Sequence, residues 1–177
     1  MKKSILFILL ACISLAGFSQ TTNDKAGRIP SVMVKNIHRQ PFKTDSISNH
    51  GNPIILSFWA TWCVNCVKEL NKIQTVYDDW KEETGVKLVA VSIDDSRYTS
   101  RVLPFVNGKA WDYEVLLDDN WDLKRAMNVG DDIPYTFILD GTGKVVYTHK
   151  GFADGDEEIY FDLLKRIKAG EDISKIK

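Results

Sequence analysis

The chain has 177 residues, 23 Lys plus Arg against 24 Asp plus Glu, a formal charge of −1 and three cysteines. So balanced a charge, with no block of basic residues, excludes a nucleic-acid partner, because phosphate contacts need a basic patch. Three cysteines are too few to staple a small scaffold, and the length is that of one ordinary domain with its own core.

Lys2 and Lys3 precede an apolar run from Ile5 to Phe18, and no acidic residue appears before Asp24. With small residues at Gly17 and Ser19, this is the layout of a secretory signal peptide over residues 1–19, cut between Ser19 and Gln20. Two rival readings stay open. Leu9-Leu10-Ala11-Cys12 loosely resembles a lipoprotein box, which would lipidate Cys12. An uncleaved run would act as an anchor, although it falls short of the ~20 apolar residues of a spanning helix. Membrane contact is expected only in those two cases. All three readings place the domain in the periplasm or cell envelope, where disulfides persist. Cleavage leaves 158 residues, a net charge of −3 and two cysteines, Cys63 and Cys66. Residues 20–30 are polar and read as a flexible spacer ahead of a domain over residues 31–177.

Val32 to Val34 and the stretch from Phe42 to Ile47 read as a short hairpin. His50-Gly51-Asn52-Pro53 is a turn signal that launches Ile54-Ile55-Leu56-Ser57-Phe58-Trp59, apolar on both sides as a central strand requires. Val67, Leu70, Ile73, Val76, Tyr77 and Trp80 fall at helical spacing, so the pattern predicts one helix from Val64 to Glu83, stopped by Gly85. Val86 to Ile93 is a second buried strand. Asp94-Asp95-Ser96 reads as an N-cap cluster for a helix from Arg97 to about Asn107. Val115 to Leu117 is a short strand and Trp121 to Met127 a short helix. Tyr135 to Leu139 and Val145 to Thr148 form an antiparallel hairpin around Asp140-Gly141-Thr142-Gly143, and an amphipathic helix from Asp156 to Ala169 follows. This order predicts an α/β domain with a central mixed sheet, helices on both faces and an N-terminal hairpin extension. Trp59, Trp80, Trp111 and Trp121 read as packing residues, and His149 as a surface residue of the last hairpin.

Cys63 and Cys66 stand where the first buried strand gives way to a helix. A cysteine in the first helical turn meets unpaired amides and the positive end of the helix dipole, which favour thiolate and can lower its pKa from ~8.5 to as little as ~3.5. One turn on, Cys66 can close a four-residue ring with it, so Cys63 can attack a disulfide and Cys66 can release the mixed disulfide. This exchange calls for no metal or other cofactor. A purely structural disulfide constrains little across so short a loop. Zinc wants four ligands, and beyond this pair there are only His38, His50 and His149, widely spaced.

Phe58-Trp59-Ala60-Thr61-Trp62-Cys63, Cys66-Val67-Lys68-Glu69, Val91-Ser92-Ile93-Asp94 and Ile133-Pro134-Tyr135-Thr136-Phe137-Ile138-Leu139-Asp140 resemble, in order, the motifs of the thioredoxin-like thiol-disulfide oxidoreductases, in their extracytoplasmic TlpA/ResA-like branch. The resemblance implies the three-layer thioredoxin-like fold, a cis bond at Ile133-Pro134 packed against the dithiol, and a partner strand pairing with the backbone of Ile133. It implies that Trp62 shapes the substrate surface and that Glu69 tunes proton transfers of the dithiol; a solvated glutamate is the alternative. It further implies a reductant of disulfide-bearing proteins, apocytochrome c among them, supplied with electrons by a membrane protein. The family usually has Pro where this chain has Asn65, and Asn or an acid where it has Ser57. A copper chaperone or binding module on the same scaffold is the rival reading, disfavoured because copper-delivering relatives use a wider cysteine spacing. A peroxidase would need a Thr-x-x-Cys loop, which is absent.

Overall fold

The computed structural model describes residues 27–173, so the expected leader and most of the spacer lie outside the described residues. The strands are β1 (Met33–Asn36), β2 (Pro41–Lys43), β3 (Ile54–Trp59), β4 (Lys87–Ser92), β5 (Glu114–Leu117), β6 (Tyr135–Leu139) and β7 (Val145–Lys150). They form one sheet in the order β2-β1-β5-β4-β3-β6-β7. β3, β4 and β5 run parallel, while β1 and β6 are antiparallel to their inner neighbours. The helices are α1 (Val64–Gln74), α2 (Tyr77–Thr84), α3 (Val102–Lys109), α4 (Asp122–Ala126) and α5 (Asp156–Lys168). No helix among the described residues is long and apolar enough to cross a membrane.

All six residues of β3 are buried, as its unbroken apolar run demands. The parallel order β3-β4-β5 requires right-handed crossovers in one direction, which places α1, α2 and α3 on the same face. Ser57 of β3 accordingly meets Glu69 of α1, and Trp59 meets Phe105 of α3 at 5.8 Å. α5 packs beside α2 on this face through the stacked rings of Trp80 and Phe161, 5.5 Å apart. α4, with Leu123 fully buried, belongs to the connection that carries the chain from β5 past β4 and β3 to β6, across the other face. Each large apolar side chain fully buried in these layers contributes about 1.5–3 kcal/mol.

The expected single helix from Val64 to Glu83 is two helices. The Thr75 hydroxyl donates to the Lys72 carbonyl at 2.7 Å, the Val76 amide turns to Ile73 at 3.0 Å, and Val76 leaves helical geometry (φ −123°, ψ 0°). A hydroxyl that competes for a helical carbonyl ends the first segment. Ile73, Tyr77 and Trp80 are buried on both sides of the break, which is why periodicity alone read straight through it. Gly85 does cap α2, with φ 70°. The helix expected from Arg97 starts instead as a 3-10 turn, Thr99–Arg101, before α3. Residues 27–30 of the expected spacer are fastened to the domain: the Val145 amide donates to Gly27 at 2.6 Å and the Thr44 hydroxyl to Pro30 at 2.5 Å.

Candidate active site

The parallel strands β3, β4 and β5 end at one edge of the sheet, where open α/β sheets place their sites, and β6, antiparallel to β3, begins there. From β3 the chain runs through Ala60, Thr61 and Trp62 to Cys63, the N-cap of α1. Cys63 and Cys66 are joined in a disulfide, their Cα atoms 5.3 Å apart. Cys63 keeps 8% of its surface exposed and Cys66 none, so a partner can reach only the first. The amide of Cys66 donates to Cys63 Sγ at 3.2 Å, in the place where a thiolate would be stabilised.

Ile133-Pro134 carries the one cis peptide bond among the described residues, at the entry to β6. The Ile133 carbonyl oxygen lies 3.6 Å from Cys63 Sγ. In the disulfide this sulfur has no proton to donate, so the approach is a contact. Trp62 is 62% exposed and Val64 80%, giving Cys63 an apolar surround on the solvent side. Trp59 is fully buried, edge-on to Trp111 at 5.0 Å, and Trp80 and Trp111 are buried as expected. Trp121 differs: its ring is 41% exposed while its indole N–H donates to the Ile93 carbonyl at 2.8 Å.

Asp94 is not a helix cap. It is buried at the end of β4 and accepts from the Thr61 amide at 2.9 Å, the Thr61 hydroxyl at 2.5 Å and the Ser92 hydroxyl at 2.9 Å. A carboxylate with three donors thus ties the Thr61–Trp62 loop to the sheet. Capping chemistry and this role draw on the same residue type at a strand end, so the sequence pattern did not separate them.

Glu69 is fully buried, which removes the solvated alternative. Three residues beyond Cys66 on α1, it shares that helix face. Its carboxyl receives the hydroxyls of Ser57 at 2.8 Å, Thr136 at 2.9 Å and Tyr160 at 3.1 Å. Loss of solvent pushes its pKa up to about 7, against the pull of these three donors and of His149. Burial and the nearby Glu69 hold the Tyr160 hydroxyl well above the phenolic range, so it remains a donor.

Ser57 and Thr136 are cross-strand partners with their hydroxyl oxygens 3.0 Å apart, and this permits two complete hydrogen-bond arrangements. With Glu69 ionised, all three hydroxyls donate to it. With Glu69 protonated, it can donate to Thr136, which donates to Ser57, which donates back to the other carboxyl oxygen. The cluster can therefore hold or release one proton without orphaning a buried group. His149 extends this row, paired with Thr136 in the register of β6 and β7. It is not a plain surface residue: its side chain is 24% exposed, its Nε2 lies 2.9 Å from Asp156 Oδ2 and its ring stands edge-on to Tyr160 at 5.7 Å. Sequence reading missed Asp94, Thr136, Tyr160 and His149 as parts of the site. The available signal was the polar Thr136 interrupting buried β6 and, for Tyr160, its helical spacing to Leu163, Leu164 and Ile167; Asp94 beyond β4 and His149 on the unburied β7 carried none. No three His, Cys, Asp or Glu side chains gather as metal ligands among the described residues.

The AhpC/TSA family model matches residues 26–148. The chain is similar to thiol-disulfide oxidoreductase ResA of Oceanobacillus iheyensis, 31% identical over 81% of this chain and 77% of the relative. It is also similar to sporulation thiol-disulfide oxidoreductase A of Bacillus subtilis, 29% identical over 84% of this chain and 88% of the relative. A solution structure of a thioredoxin-like protein from Porphyromonas gingivalis superposes with a TM-score of 0.72, at 46% identity, covering 81% of this chain and 93% of that one. The chain belongs to the AhpC/TSA family, among its thioredoxin-like thiol-disulfide oxidoreductases.

Proposed function

We propose that the protein reduces disulfides of partner proteins outside the cytoplasmic membrane, with Cys63 as nucleophile, Cys66 as resolving thiol and Glu69 as the proton acceptor of Cys66. The observation that carries this reading is the unequal exposure of two cysteines at the start of α1, the outer at 8% with an amide aimed at its sulfur and the inner fully buried.

In the dithiol form, the Cys63 thiolate attacks one sulfur of the partner's disulfide. A Cys63–partner bond forms, the partner's S–S bond breaks, and its other sulfur leaves as a thiolate that takes up a proton. Cys66 then gives its proton to Glu69 and attacks Cys63 Sγ. The Cys63–Cys66 bond forms as the Cys63–partner bond breaks, the second partner sulfur leaves as a thiolate that takes up a proton, and Glu69 gives up the one it received. Two electrons have passed from the dithiol to the partner. An acceptor held near 7 suits a thiol whose unperturbed pKa is ~8.5, because the transfer is then close to balanced at neutral pH. Trp62 supplies an apolar contact beside the nucleophile, and the Ile133-Pro134 backbone offers an edge on which an extended partner segment lies.

The reducing direction, an apocytochrome c partner and a membrane electron donor rest on the resemblance to the TlpA/ResA-like branch. An envelope location rests on the leader-like layout of residues 1–19. A Cys66→Ala protein expressed with its own leader should accumulate in the cell envelope as mixed disulfides, and the captured proteins reveal the partner class. Mixed disulfides that survive in a Cys63→Ala protein instead would refute the order of attack.

A further inference from the structure

The segment after β4 leaves one cation without an ion pair beside the dithiol. Asp94 is turned inward to Thr61 and Ser92, and Asp95 pairs with Arg97 at 2.5 Å. The Tyr98 ring carries the guanidinium groups of Arg97 at 5.4 Å and Arg101 at 4.7 Å. Arg101 is exposed and has no ion pair among the described residues, its neighbour Arg97 having taken the nearby carboxylate. Thr61, Trp62, Tyr98 and Arg101 together line an open groove of about 470 Å³, immediately preceding Cys63 in the chain. Its walls are two exposed aromatic rings, and its single charged lining residue is cationic on a chain of net charge −1.

We propose that this groove is a recognition subsite for a carboxylate-bearing side chain that flanks the reactive cysteine of a partner protein. Arg101 is its ion-pairing group, and Trp62 and Tyr98 are its apolar walls. The inference rests on the oxidoreductase reading above and names the partner chemistry that the site prefers. A guanidinium stacked on an aromatic face is held flat, and its edge N–H groups stay free to grip a carboxylate with two parallel bonds. Basic flanking residues would meet Arg101 with like charge. Because the groove is open, the preference is modest, in the range of an exposed ion pair.

The test uses two peptides, each with one cysteine in disulfide linkage to a small neutral thiol and identical except for Asp or Lys beside that cysteine. The reduced full chain gives two electrons to each disulfide, and peptide and small molecule leave as thiols. Wild type, Arg101→Gln and Arg101→Glu are compared, every rate divided by the same protein's rate on dithiodipyridine, a small neutral disulfide. At about 0.1 M salt, where charges are felt over ~10 Å, wild type should favour the Asp peptide by about fivefold. The preference should vanish in Arg101→Gln, invert in Arg101→Glu, and shrink at about 1 M salt, where the range is ~3 Å. The same Asp-to-Lys ratio in all three proteins would overturn the subsite. A second readout needs no exchange: in the oxidised protein, a cysteine-free Asp peptide should shift the Trp62 indole N–H resonance and a Lys peptide should not. If neither peptide disulfide is reduced, the oxidoreductase reading fails and this titration decides the subsite alone.

Discussion

Replacing Glu69 with Gln removes a titrating group from the core while keeping the size and planarity of the side chain. The amide keeps two bonds of the protonated arrangement, donating to Thr136 and accepting from Ser57, while its nitrogen cannot accept from Tyr160, which turns to take the second N–H and adds an offset independent of pH. Burial raises the folded-state pKa of Glu69 from 4.5 to about 7. Below pH 4.5 both folded and unfolded chains keep the proton, and the folded state bears no penalty. Between 4.5 and about 7 the unfolded chain ionises first, so wild-type stability falls as pH rises; above that range the whole cost is present. At about 1.36 kcal/mol per pH unit the cost is about 3 kcal/mol. Denaturant unfolding of both oxidised proteins from pH 4 to pH 9 measures it, since titrations not coupled to Glu69 cancel in the difference. The stability of Glu69→Gln relative to wild type should be flat below about pH 4.5, climb between 4.5 and about 7, and level off about 3 kcal/mol above its acid value. A difference that stays constant, or falls with rising pH, would refute the argument that desolvation outweighs the three hydroxyl donors. The same variant, lacking the acceptor for the Cys66 proton, should slow exchange by on the order of 100-fold near neutral pH.

Other substitutions follow from the same geometry. Tyr160→Phe deletes one donor to the Glu69 carboxylate, so the pKa rises further and the neutral limb of the exchange–pH profile should move alkaline by about one unit. Asp94→Ala leaves the Thr61 amide and the Thr61 and Ser92 hydroxyls without their acceptor. It should cost about 2–3 kcal/mol in denaturant unfolding and slow exchange as the loop before Cys63 loses its tie; unchanged stability would contradict that role. Gly141→Ala would set a Cβ 2.0 Å from the Gly51 carbonyl oxygen. Two turns at the edge of the sheet where β3 begins and β6 ends, opposite the dithiol, would have to part, and thermal unfolding should report about 1–3 kcal/mol of destabilisation.

The sheet was readable wherever burial writes a continuous run. Ile54 to Trp59 is a strand in both readings because Pro53 opens it and all its side chains are enclosed. The break at Thr75 was not readable, because the apolar spacing continues through it and only a hydroxyl-to-carbonyl bond ends the helix. Cys63, Cys66 and the Ile133-Pro134 segment could be expected together from their motifs, and Cys63 and Ile133 do meet in the structure. The surroundings of Glu69 could not be, since they depend on the register that sets Ser57 opposite Thr136 and Thr136 opposite His149, and on α5 folding back with Tyr160. Each of those residues is unremarkable in its own segment. Only the tertiary pairing gathers these polar residues around one buried carboxyl.

The central claim is that two electrons leave through Cys63 and are completed by Cys66. It is tested most directly by mixing the reduced full chain with one equivalent of a disulfide-bearing protein and following both by mass spectrometry. The account predicts stoichiometric appearance of the Cys63–Cys66 disulfide and of the partner dithiol in the wild type, a covalent adduct in Cys66→Ala, and neither product in Cys63→Ala. Reduction of the partner by Cys63→Ala at the wild-type rate would contradict it.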